Sequence, residues 1–283
     1  MNQRHAAVLV VAVAACGGGG PKITLSYHPP SGAVYHYALE QRTDISILSG
    51  PLAAMGKQHF FMRMPFTETV KGPAREGWTE VEVVFESVTM EIPGVSPDRI
   101  ARELAKMNGL RTSVVYDERG QLVRSNFVPA PDLSPDVANQ VETGIKAMTL
   151  GFPQQPVGRG DSWTITSELP LGQVPGGTSP AGAARTTLTV REIRIAGSDT
   201  TVVLDIKTAF PSGPIPLAVG SQTGTVKLEG DLAGHQQFSI SRGAILDATI
   251  KGATKVHVAG GMLGSKGMDL LTDTESSIFL LPD

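Results

Sequence analysis

The chain has 283 residues, 41% of them hydrophobic, with 24 Lys and Arg against 27 Asp and Glu for a formal net charge of −3. No basic tract breaks this balance, which excludes the electrostatic footprint of a nucleic-acid binder. A single cysteine excludes a disulfide framework, so burial has to hold the fold together.

At the N-terminus, Arg4 and His5 precede an apolar run from Ala6 to Ala15. About ten residues are too few to cross a bilayer core, which needs ~20, but they suit the hydrophobic region of an export signal. The run ends in Val13-Ala14-Ala15-Cys16, and Gly17 to Gly20 come next. This stretch resembles the lipobox of bacterial lipoproteins. The resemblance implies a signal peptide at 1–15 removed after Ala15, a diacylglycerol on the Cys16 sulfur, an acyl chain such as palmitate on the new amine, and no other cofactor. Two or three chains would hold the protein firmly at a membrane, where one would not. Gly17 where an aspartate would signal retention implies, by the same resemblance, the outer membrane, facing the periplasm or the cell surface. The alternative is an ordinary secretory signal cleaved at an A-x-A-like site. Residues 16–29 read as a flexible Gly-rich tether, and 30–283 as a single β-rich domain.

Alternation with period two dominates residues 30–283 and predicts half-buried strands. Tyr35, Tyr37 and Leu39 share a face, and Phe60, Met62, Met64 and Phe66 alternate with His59, Phe61 and Arg63. Val81, Val83 and Phe85 oppose Glu80, Glu82 and Glu86. Later, Val202, Leu204 and Ile206 oppose Asp205 and Lys207, while Val226 and Leu228 oppose Lys227 and Glu229. One-sided strands of this kind favour antiparallel sheet with one face covered. Asp117–Gly120 and Ser241–Gly243 read as hairpin turns.

Two helices are expected between the strands. Ser96-Pro97-Asp98 and Ser134-Pro135-Asp136 each offer an N-cap serine, a proline at the first helical position and an acid at the positive dipole end. Their apolar stripes are Ile100, Leu104 and Met107, then Val137, Val141, Ile145 and Met148. The predicted fold is therefore mainly β: a large curved antiparallel sheet or half-barrel, with a helical insertion at about 96–151 packed on its apolar face. A domain boundary in the Gly/Pro-rich stretch 170–184 stays open as the alternative to one domain.

Catalytic signatures are scarce. His28, His36, His59, His235 and His257 lack metal-ligand spacing, and no nucleophile elbow or phosphate-binding loop occurs. Gly158–Trp163 (GRGDSW) reads as a tight turn leading into a strand with Trp163 buried, or else as a functional turn presenting Arg159 and Asp161. A hydrolase would need an apposed acid–base set that the sequence does not display.

The apolar faces are more informative. Phe60, Met62, Met64, Phe66, Met90, Leu104, Val141 and Met148 offer a soft lining for a hydrophobic ligand, because methionine adapts to irregular shapes. The same residues also suit an ordinary filled core. A lipobox, long antiparallel strands, inserted helices and the hairpin Asp117-Glu118-Arg119-Gly120-Gln121-Leu122 resemble envelope lipoproteins with the half-barrel fold of lipoprotein carriers and lipid-binding proteins. Gly160-Asp161-Ser162-Trp163 is more similar to uncharacterised lipoprotein families. The resemblance implies the fold and a hydrophobic ligand only. The expected protein is non-enzymatic and meets the membrane through its lipid. Its further partner is a hydrophobic small molecule or, if it is a scaffold, an envelope protein.

Overall fold

The computed structural model describes residues 20–74, 77–128, 150–168, 182–219, 222–260 and 267–282. Cys16, the signal, Val141, Met148, the body of the second expected helix and most of the 170–184 stretch lie outside the described residues.

The strands are β1 (Val34–Ile47), β2 (Lys57–Pro73), β3 (Thr79–Phe85), β4 (Thr89–Glu91), β5 (Arg111–Tyr116), β6 (Leu122–Val128), β7 (Ser162–Glu168), β8 (Ala183–Ala196), β9 (Asp199–Ala209), β10 (Ile215–Val219), β11 (Gln222–Ser239), β12 (Ala244–Gly260) and β13 (Met268–Leu280). All belong to one antiparallel sheet in the order β6-β5-β3-β2-β1-β13-β12-β11-β9-β8-β7. The chain meanders outward from β1 to β6, resumes at β7 and meanders back to β13, which pairs with β1. Short β4 continues the lane of β3 beside β2, and β10 continues the lane of β9 beside β11. Joining β6 to β7 would close a barrel, but these two are the ends of the order, and the sheet is not closed.

Turn chemistry sets the hairpins as the sequence predicts. Asp117 Oδ1 accepts from the backbone N–H groups of Arg119 and Gln121, and Gly120 takes φ +67. Gly243 takes φ +61 between β11 and β12. Along β3, Thr79, Val81, Val83 and Phe85 are buried while Glu80 and Glu82 are not, the alternation read from the sequence.

The near end of the sheet, where β1 begins, holds the main core. Val81 on β3 and Leu204 on β9 share one cluster although six lanes, about 29 Å at ~4.8 Å per lane, separate them. The sheet therefore curls, and two extended segments fill the space between its wings. Leu25 and Tyr27 come from the first, Phe152 and Val157 from the second, and Ile23 bridges to Val157. The Phe152 and Phe238 rings meet edge to face at 4.8 Å.

Three expectations are corrected by this architecture. The tether predicted for 16–29 ends earlier, because Leu25 is 2% and Tyr27 5% exposed. Apolar side chains in that stretch gain more from the core than from solvated coil. The hairpin at 111–128 is not part of an insertion but forms β5 and β6 of the main sheet. The described residues contain one helix, α1 (Pro97–Leu104), which sits against β4 rather than across the apolar face. Ser96 precedes it with extended backbone and makes no side-chain capping bond.

Candidate functional site

The strand period decides which side chains meet inside the curl. Tyr37 pairs with Phe66 and Leu39 with Met64, so the odd residues of β1 and the even residues of β2 share the concave face. Along that register away from the core, Gln41 faces Met62 and Thr43 faces Phe60, while Met90 of β4 sits opposite Met62. At this point the core gives out. A groove of about 260 Å³ opens, lined by Gln41, Thr43, Ile45, Phe60, Phe61, Met62 and Met90. The lining is almost entirely apolar, and every one of these residues is half buried.

The structure thus divides the residues expected to line a ligand site. Phe60, Met62 and Met90 come together in the groove. Phe66 is 3% exposed in the core and Met64 packs against it, so both belong to filled space. Leu104, on α1, is half buried and lies outside the groove lining. Gln41, Thr43, Ile45 and Phe61 join the groove without having been expected there. The alternation that starts at Tyr35 carries the first three onto the same face, which is the signal that would have found them.

Beyond the groove, the concave face is floored by Thr272, Thr274 and Ser276 of β13, paired to Ile45, Thr43 and Gln41. A second small apolar cluster of Ile215, Val226 and Leu228 stands on the other side. The trough therefore has apolar walls and a floor of small hydroxyl side chains.

At the near end, the apolar lane of β2 stops at Glu68. All four tyrosines of the protein gather round this carboxylate. The Tyr27 hydroxyl donates to Glu68 Oε1 at 3.1 Å, and the Tyr27 and Tyr116 rings lie 5.2 Å apart. The Tyr35 hydroxyl instead donates to the Arg242 carbonyl at 2.6 Å. Part of Glu68 still meets solvent, yet burial pushes its carboxyl up to about 7, against the opposing effect of the Tyr27 hydrogen bond. Burial first, and then the Glu68 charge, raise all four tyrosine hydroxyls, which stay protonated.

The outer face carries ion pairs, some of them around a polar hollow of about 220 Å³ lined by Lys227, Glu229, Lys255, His257 and Asp269. His59 Nδ1 lies 2.6 Å from Asp44, His257 Nδ1 2.8 Å from Asp269, and His235 Nε2 3.1 Å from Asp247. The Lys57 ammonium, ahead of His59, holds the half-buried Asp44 carboxyl below the usual range. Ser49 donates to Asp269 Oδ2 rather than facing His257, so these three do not form a nucleophile–base–acid chain. Among the described residues no cluster of three or more His, Cys, Asp or Glu has metal-site geometry, and no helix is long and apolar enough to cross a membrane. Gly158–Trp163 is a packed turn. Asp161 accepts from the Gly158 N–H and pairs with Lys22, and Trp163 Nε1 donates to the Gly151 carbonyl at 2.9 Å.

No protein-family model matches the chain, and no curated protein sequence matches it. Among solved structures, it is similar to one described as lipid–protein interactions in lipovitellin, at 12% identity and a TM-score of 0.45. That likeness covers 89% of this chain but only 25% of the lipovitellin chain. DynF from the dynemicin biosynthesis pathway of Micromonospora chersina is similar at 9% identity and a TM-score of 0.23, over 99% of this chain and 95% of that one. The β domain of the Bordetella autotransporter BrkA is similar at 11% identity and a TM-score of 0.21, over 87% of this chain and 99% of that one. All three scores are low, and none of them carries a conclusion about function.

Proposed function

We propose that this is a non-enzymatic, lipid-anchored protein of the cell envelope whose concave sheet face holds a hydrophobic ligand. The ligand is a segment of an alkyl or acyl chain, lying between β1, β2 and β4. One observation carries the reading: past the filled core, the lane Phe60–Met62 with Met90 lines an open apolar groove instead of being sealed. Its volume, just below the ~300–1,000 Å³ usual for ligand pockets, suits one chain rather than a bulky ring system. Two methionines let the walls adapt to chains of differing shape. Anchoring through Cys16 rests on the lipobox resemblance, and it would keep the groove close to a supply of such chains.

Uptake of a fluorescent fatty acid by the purified protein, with organic extraction of co-purified lipid, tests this. Met62→Glu sets a charge in the groove without touching the core and should abolish uptake while leaving the unfolding midpoint nearly unchanged. A wild-type protein that neither carries nor takes up lipid would sink the proposal. Catalytic turnover of an ester by the same preparation would move the protein to the hydrolase class.

A further inference from the structure

The loop joining β1 to β2 has an unusual surface. Leu48 is 54%, Leu52 47% and Met55 54% exposed, three of the large apolar side chains that stand out from the described surface. From Ile47 to Gly56 there is no charged residue. The loop is not loose. Leu48 N–H donates to the Asp269 carbonyl at 2.8 Å, Ser49 Oγ to the Asp269 carboxylate, and Gln58 Nε2 to the Met55 carbonyl at 2.7 Å. Gly50 at φ +96 packs against Gly267 and Met268, and a 3₁₀ turn at Ala53–Met55 fixes the tip. Its backbone is held in place while its largest apolar side chains face outward.

The roots of this loop are the walls of the groove, since Ile45 and Phe60 lie within a few residues of it on either strand. We propose that the β1–β2 loop is a lipid-surface contact. It dips Leu48, Leu52 and Met55 into the headgroup–acyl boundary, so that the groove at its root opens onto the membrane. This rests on the reading of the groove as an acyl-chain site. Area favours a lipid surface over a protein partner. A stable protein interface needs about 800 Å² per side, whereas a convex tip of three side chains offers a few hundred. A fluid interface accepts such a tip to a depth of ~5–10 Å without shape complementarity. Just outside, Lys57 sits in an ion pair with Asp44, marking where the apolar tip ends.

The test uses the full chain with Cys16→Ser, which carries no lipid of its own, and vesicles of phosphatidylethanolamine and phosphatidylglycerol. The expected result is co-sedimentation that survives high salt, because apolar insertion is not screened. Leu48→Ser, Leu52→Ser and Met55→Ser together should weaken partitioning on the order of a hundredfold. Ile195→Ser, which removes the 65% exposed side chain at the opposite end, should change nothing. An environment-sensitive dye on Leu52→Cys should shift to the blue with vesicles, and the same dye on Ile195→Cys should not. Failure of the parent chain to bind vesicles, binding that vanishes in salt, or an unaltered triple variant would each overturn the proposal. So would a triple variant that only dissolves a dimer. Fatty-acid uptake from solution by the triple variant should match the parent. If the parent takes up none, the ligand reading fails, while vesicle binding still judges the loop.

Discussion

Glu68 is the residue whose surroundings make the sharpest demand. Its carboxyl, raised from 4.5 to about 7, is favoured in the protonated form by burial. A raised acid stabilises the fold where it is protonated. That contribution is complete below about pH 4.5 and is lost as pH rises through about 7. Glu68→Gln keeps an acceptor for the Tyr27 hydroxyl and cannot ionise. It should raise stability by on the order of 1–3 kcal/mol at about pH 8 and by little at about pH 4, read from denaturant midpoints across that range. A wild-type midpoint flat over the same range would contradict the assignment. The cluster was not legible in the sequence. Tyr27, Glu68 and Tyr116 come from segments far apart, and only curling of the sheet brings them together. Phe60, Met62 and Met90 were legible as apolar-face residues, and so were Met64 and Phe66. Period two gives the face of a side chain but not the point along the strand where the core stops.

Among the elements, strands and hairpins follow from alternation and turn residues, and most of them stand where the sequence places them. The close approach of the long pair β11 and β12 does not follow from alternation. It depends on glycines. A Cβ added at Gly234 would run into the Thr249 carbonyl, one at Gly252 into Asp231, and one at Gly230 into Ala253. The pairing between these strands also skips Asp231 and Leu232. Glycine permits backbones to approach this closely. Gly234→Ala should therefore cost about 1–3 kcal/mol, as overpacking does. Gly213→Ala, with open space around it, should be near neutral. Equal midpoints for the two variants would refute the role given to these glycines. For helices, capping signals located α1 but not its neighbours. A serine and a proline say where a helix begins, and they say nothing of the strand it meets.

For the molecule as a whole, the open sheet follows from where the meander is cut. β6 and β7 end the order, and the chain between them contributes Phe152 and Val157 to the core inside the curl. The segment at Ile23–Tyr27 enters the same core. A lipid on Cys16, as the lipobox resemblance implies, would anchor the body to the membrane through its N-terminal segment. Cys16→Ser should shift the protein from the membrane to the soluble fraction of cells, measured by fractionation. Unchanged membrane recovery would count against the anchor. The one-sided sheet was legible at this scale from its wet polar faces. The order of its strands was not, because pairing β1 with β13 joins residues more than two hundred positions apart.

That central pairing has a consequence for how the chain comes to be folded. β1 can form hairpins with β2 as soon as both exist, but its other edge, with eleven residues that later pair from Tyr37 to Ile47, has no partner until β13 is made. Until β13 is made, a long strand edge stands open at what will become the middle of the sheet. Such edges recruit other chains, and contacts this distant in sequence close slowly. The nascent protein is therefore most vulnerable to aggregation until β13 emerges. β13 is the strand that turns two half-sheets into one molecule.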